Sequence, residues 1–162
     1  MDVLTLNTLF LIVSAQFNLP PGLLSSLCYV ESKHKITAYH KDDGKGNSVG
    51  ICQIKIQTAK NLGFKGTEKE LMKPENNIYY AGAYLQHQRT RYNGDINKAV
   101  IAYNIGSAKE LTTTKYQAKV FKQWGTVENS SCRLEKSLKE DRRDIKRYPC
   151  KYSFDTAAYN RL

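Results

Sequence analysis

Acidic side chains are scarce in this chain, 15 Asp and Glu against 25 Lys and Arg, which leaves a formal charge of +10. A balance that basic attracts polyanions, whether nucleic acid, anionic lipid or the acidic polymers of a bacterial wall. Charge alone does not choose among them. The basic residues are spread along the sequence without an aromatic-interleaved patch, so no specific nucleic-acid partner is expected. No apolar run is long enough to cross a bilayer, so no transmembrane segment is expected. Cysteine is sparse at four residues, with no C-x-x-C spacing, which argues against zinc. His34, His40 and His87 lack ligand spacing and read as surface residues. No metal site and no cofactor is expected. There is no internal repeat and no low-complexity tract. Apolar residues still make up 41% of the 162, enough for the core of one ordinary domain.

The segment VLTLNTLFLIVSA, residues 3–15, has the length and the Val13-Ser14-Ala15 ending of a signal peptide. Asp2 in place of a basic residue and Asn7 inside the apolar run argue instead for a helix of the fold. It would run from Asp2 to Phe17, with Leu6, Leu9, Ile12, Val13 and Gln16 on one side. Asn18-Leu19-Pro20-Pro21-Gly22 breaks it, and a second helix follows from Pro21 to about Ser32. Residues 33–50 are rich in Gly, Asp and Lys and read as an exposed loop or small β-excursion. Beyond the apolar GICQI come a compact helix closed by Gly63 and a long helix from Pro74 to Tyr92. The long helix has Ile78, Ala81, Leu85 and Gln88 on one side. Asp95 caps the next helix, INKAVIAYN, with Ala99, Ala102 and Tyr103 on its face. YQAKVFKQW places Tyr116, Val120 and Trp124 on another. The composition then changes, so residues 1–125 read as the domain and 126–162 as a charged, partly helical extension.

One carboxylate stands where an apolar residue belongs. Leu24, Leu27, Cys28 and Glu31 recur at i, i+3, i+4 and i+7, the core stripe of an amphipathic helix. Either the helix end fans into solvent and Glu31 is exposed, or the carboxyl is half-buried. A half-buried carboxyl without a cationic partner raises its pKa and becomes a general acid.

The order of short motifs favours the second reading. Glu31-Ser32 closes a helix and is followed by Gly50-Ile51-Cys52-Gln53-Ile54. Then come Asn77-Ile78 with Gly82 and Tyr84-Leu85, and finally Ala102-Tyr103-Asn104-Ile105-Gly106. This set resembles the soluble lytic transglycosylase domain, the lysozyme-like fold that cuts peptidoglycan glycan strands, over approximately residues 5–124. The resemblance implies a mainly α (α+β lysozyme-like) fold, a helical bundle around a substrate cleft with a small irregular or β-containing loop region. Carried over position by position, it makes Glu31 the sole catalytic acid/base and has Tyr103 hydrogen-bond its carboxyl. It sets Ser32 beside the substrate, lines the sugar groove with Gln53 and the Gly50 backbone, and braces the Tyr103 turn with Asn104. The family usually has Met where this chain has Cys52, so the apolar wall against the sugar would be smaller. The implied reaction cleaves the bond between N-acetylmuramic acid and N-acetylglucosamine and leaves a 1,6-anhydro end.

The alternative is hydrolysis with inversion, which needs a second carboxylate to activate water. Asp42 and Asp43 precede the Gly-rich run, and goose-type lysozymes carry an acidic residue in a similar place. Asp-Gly is equally a strong turn former. A third reading makes the chain a structural component of an envelope-crossing machine, such as a phage tail, docked through residues 126–162. The size and charged tail suggest a phage-encoded wall enzyme acting at the cell wall or periplasm, virion-associated or else exported. The thiols Cys28 and Cys52 are read as buried and free. A bond between them is the alternative, and Cys132 and Cys150 could pair in an oxidising compartment.

Overall fold

Leu23, Leu24, Leu27 and Cys28 are fully buried, so the stripe that ends at Glu31 does face the core. The computed structural model describes residues 3–41 and 46–140. Its helices are α1 (Val3–Gln16), α2 (Leu23–Ser32), α3 (Ile56–Asn61), α4 (Glu68–Leu71), α5 (Pro74–Arg91), α6 (Ile96–Ile105) and α7 (Lys115–Glu140). Three short strands, β1 (Tyr39–His40), β2 (Ser48–Val49) and β3 (Ile54–Lys55), form an antiparallel sheet in the order β1-β2-β3. Mostly helical with one small sheet, the molecule is of the expected α+β lysozyme-like class. Its contacts divide the chain after Trp124, into Met1–Trp124 and Gly125–Leu162. The site lies in the first unit.

The faces read from periodicity are mostly the faces that pack. Ile78, Ala81, Leu85 and Gln88 of α5 are buried, as are Ala99, Ala102 and Tyr103 of α6. Asp95 caps α6 by accepting from the Lys98 amide at 3.0 Å. On α7, Val120 is fully buried and the Trp124 indole donates to the Pro21 carbonyl at 2.8 Å, tying that helix to the entry of α2. Helix α1 is the exception. Phe10 and Val13 turn inward while Ile12 stays 57% exposed, so the buried side is rotated from the expected one. The segment is apolar nearly all round, so periodicity has no polar face to exclude. What selects the face is α5, where a Cβ at Gly82 would come within 2.6 Å of Val13 Cγ1. Only glycine permits that approach.

The start of α2 also differs from expectation. Gly22 has a left-handed φ of 75°, so the helix begins at Leu23 and not at Pro21. Helix α4 escaped the sequence reading, being four residues long. It is held by a capping box in which the Thr67 hydroxyl and the Glu70 carboxylate serve each other's backbone amides. Leu71 carries it into a second small core with Val49, Ile54, Ala59 and Phe64, under the sheet.

Candidate active site

Helix α2 ends in two left-handed residues, Lys33 (φ 58°) and His34 (φ 60°), so the chain turns sharply one residue after Ser32. The Lys33 amide returns to the Tyr29 carbonyl at 2.8 Å and closes the last turn. Glu31 is thereby fixed on a short rigid element instead of fraying. Its carboxyl is half-buried, continuing the stripe of Leu24, Leu27 and Cys28.

Opposite it is the Gly50–Gln53 turn. Gly50 (φ 75°) and Gln53 (φ 51°) are both left-handed. At Gly50 a side chain is excluded twice over, by that φ and by the Asn77 amide, with which a Cβ would collide. Asn77 is fully buried on α5 and uses its whole amide. Its Nδ2 donates to the carbonyls of Val49 (2.8 Å) and Leu71 (3.0 Å), and its Oδ1 accepts from the Cys52 amide (2.8 Å). The Ser32 hydroxyl donates to the Ile51 carbonyl at 2.6 Å, and the Tyr103 hydroxyl donates to the Cys52 carbonyl at 2.9 Å. Three helices therefore hold one turn by its backbone.

Several sequence expectations are corrected by this arrangement. Tyr103 donates its hydrogen bond to the Cys52 carbonyl, and the phenol that donates to Glu31 is Tyr116 at the start of α7, 2.5 Å from Oε1. Cys28 and Cys52 form a disulfide and are not free thiols. The Cys52 side chain is fully buried in that bond and cannot serve as a wall for a sugar. Two positions in facing apolar patterns were within reach of bonding, but sequence separation alone does not fix pairing. Ser32 is turned to the Ile51 carbonyl and acts on the turn. Asn104 is exposed and has no side-chain hydrogen bond among the described residues. The turn beyond Tyr103 is braced instead by Arg91, which donates to the Gly106 carbonyl at 2.9 Å. Gln53 is half-buried, its Nε2 donating to the Gly50 carbonyl at 2.9 Å. His34 is half-buried too, its ring tilted against Phe10 and edge-on to Tyr29, with Nε2 2.8 Å from the Ser25 carbonyl. Asp42 and Asp43 lie outside the described residues.

The electrostatics follow from the geometry. Burial lifts the Glu31 pKa from 4.5 to about 7, and the Tyr116 hydrogen bond, which favours the charged form, opposes the rise without cancelling it. Burial and the adjacent carboxylate push Tyr116 upward, so its phenol stays a donor. Tyr103 is raised for the same two reasons, burial first and the Glu31 charge second. A carboxyl poised near 7 can both give and take a proton at neutral pH. Among the described residues no group of His, Cys, Asp and Glu could hold a metal ion.

Tyr116 was missed as a site residue because Tyr116, Val120 and Trp124 read as one core stripe. It stands at the end of that stripe as Glu31 stands at the end of its own. Two polar ends of two apolar stripes were the available signal.

A short helix presenting a half-buried carboxyl to a clamped glycine turn, in a mainly helical fold with a small sheet, defines a lysozyme-like domain. The family model for the Transglycosylase SLT domain matches residues 8–124, and the chain belongs to that family. It is also similar to a protein named "Transglycosylase" from Enterobacteria phage PRD1, 34% identical over 112 residues. That match covers 67% of this chain and 39% of the relative, so the chain spans less than half of that relative's length.

Proposed function

We propose that the protein is a peptidoglycan lytic transglycosylase with Glu31 as its sole acid and base. The observation that carries the reading is the half-buried Glu31 carboxyl, held by the Tyr116 phenol at 2.5 Å and lifted to a pKa of about 7. Family membership over residues 8–124 supplies the substrate class. In the protonated state Glu31 donates to the glycosidic oxygen between N-acetylmuramic acid and N-acetylglucosamine as positive charge develops at the anomeric carbon. Ionised, it then takes the proton of the muramic 6-hydroxyl, whose oxygen closes onto that carbon as a 1,6-anhydro ring. Tyr116 holds one carboxyl oxygen in both steps and leaves the other for the substrate. Tyr103 and Ser32 act through the Gly50–Gln53 turn, and Gln53 with the Gly50 backbone lines the sugar path.

Residues 1–125 would be the catalytic domain and 126–162 a charged extension. Likeness to a phage protein supports a wall enzyme encoded by a phage, carried in the virion to open the cell wall, with the extension as a docking element on the particle. The formal charge of +10 favours adsorption to anionic wall polymers, so binding should weaken as salt rises.

The test is mass spectrometry of soluble products from purified peptidoglycan. Products one water lighter than reducing muropeptides establish the anhydro reaction. Reducing ends that take up labelled oxygen from water make the protein a hydrolase and bring Asp42 and Asp43 forward as the base. No product at all leaves the structural role in an envelope-crossing machine.

A further inference from the structure

The reaction scheme leaves one covalent feature of the site without a part. Cys28 lies one helical turn before Glu31 on the same face of α2, and Cys52 sits within the clamped turn. The two ends of this bond are held very differently. On the Cys52 side the amide is tied to Asn77 of α5 and the carbonyl to Tyr103 of α6. On the α2 side the polar tie to the same turn is Ser32 to the Ile51 carbonyl. Both cysteines are fully buried. Reduction removes the covalent tie between that turn and α2, the element that carries Glu31. A displacement of about 1 Å is enough to misplace a catalytic group.

We propose that the Cys28–Cys52 disulfide is a redox latch on Glu31, with the site assembled when the bond is formed and displaced when both thiols are free. Such a latch would keep the protein idle in a reducing cytoplasm and arm it in an oxidising compartment. The arming step is thiol–disulfide exchange with a small-molecule or protein disulfide. The two thiols lose two electrons and two protons, and the exchange partner leaves as two thiols. Because the sulfurs are buried, exchange proceeds through local opening, so the armed state is slow to revert.

The assignment of activity rests on the transglycosylase reading, but the latch itself can be tested without it. The full chain carrying Cys132→Ser and Cys150→Ser is equilibrated across a series of reduced and oxidised dithiothreitol buffers. Its thiols are counted by alkylation after a denaturing quench. At each point the Glu31 carboxyl carbon is titrated by NMR and release of muropeptides is measured. The expected result is that two thiols appear together with a loss of activity of at least tenfold. The Glu31 titration should fall from about 7 toward ordinary carboxylate values, and both changes should reverse on reoxidation. Cys28→Ala with Cys52→Ala should match the reduced form and ignore reductant. If that variant does not fold, the titration of the parent chain still decides. Two thiols appearing with neither the Glu31 titration nor cleavage altered would overturn the latch, as would finding both thiols free under oxidising buffer. If neither form cleaves but the Glu31 titration moves, the latch stands and the transglycosylase reading fails alone.

Discussion

Two tyrosines reach the site from two regions, the end of α6 and the start of α7, and their work is divided. Tyr103 donates to a backbone carbonyl and holds the Gly50–Gln53 turn, whereas Tyr116 donates to the carboxyl. The conspicuous residue, set in Ala-Tyr-Asn-x-Gly, is the structural one by its geometry. The inconspicuous residue, inside an apolar stripe, opposes the rise that burial imposes on Glu31. A backbone turn clamped from three helices needs residues at fixed places in a short motif. A single phenol aimed at a carboxyl needs only a helix that starts in the right place.

The sharpest way to test this division begins at the carboxyl. Glu31→Gln should abolish muropeptide release, a loss of about 1,000-fold or more for removal of the acid and base. The same substitution should stabilise the fold at high pH. A carboxyl with a pKa raised from 4.5 to about 7 is protonated in the folded state while ionised in the unfolded state across that window. Stability therefore falls as pH rises from 4.5 to 7 and levels off above it. The shift corresponds to an upper limit on the order of 3 kcal/mol, reduced by the carboxyl's partial exposure. Urea unfolding should find the variant about 1–3 kcal/mol more stable at pH 8, with the gain gone below pH 4.5. An equal gain at both extremes would mean that Glu31 does not titrate as a buried group.

On the turn side the largest effect is expected at Asn77. Asn77→Ala leaves the Val49 and Leu71 carbonyls and the Cys52 amide without their partner in the core. At about 1–3 kcal/mol for each such group, a loss of about 3 kcal/mol or more is expected in chemical denaturation. Tyr116→Phe should act differently. It removes a charge-assisted hydrogen bond, lowering kcat/KM roughly 10- to 100-fold. It also removes the hydrogen bond that holds the Glu31 pKa down. The alkaline limb of the pH–rate profile, where protonated Glu31 is lost, should move upward by about one unit. A profile that stays in place would show that Tyr116 is not coupled to Glu31.

Much of this was legible in the sequence, and the omissions have physical causes. The buried stripe of α2, the inner faces of α5 and α6 and the Asp95 cap follow from spacing and capping chemistry, which act within one element. The inward face of α1 was not legible, because packing at Gly82 selects it and the helix's own composition does not. Glu31 was legible because a charged group on an apolar face is a local anomaly. The disulfide and the Tyr116 bond join residues 24 and 85 positions apart, and nothing local to either end announces the other. Asn77 stood out as part of a motif, but its three bonds to two carbonyls and one amide are tertiary.

The smallest expected effect decides the comparison of the tyrosines most directly. Tyr103→Phe keeps the ring that packs 5.2 Å from Tyr84 and removes only the donor to Cys52. One carbonyl left unpaired costs about 1–2 kcal/mol, which urea denaturation resolves. The turn keeps its ties to Asn77 and Ser32, so activity should drop by no more than a few-fold. Its pH profile should not follow that of Tyr116→Phe, since the variant removes no hydrogen bond to the carboxyl. If it does move upward by a similar amount, Tyr103 reaches Glu31 during turnover, and the division between the two phenols holds only for the resting state.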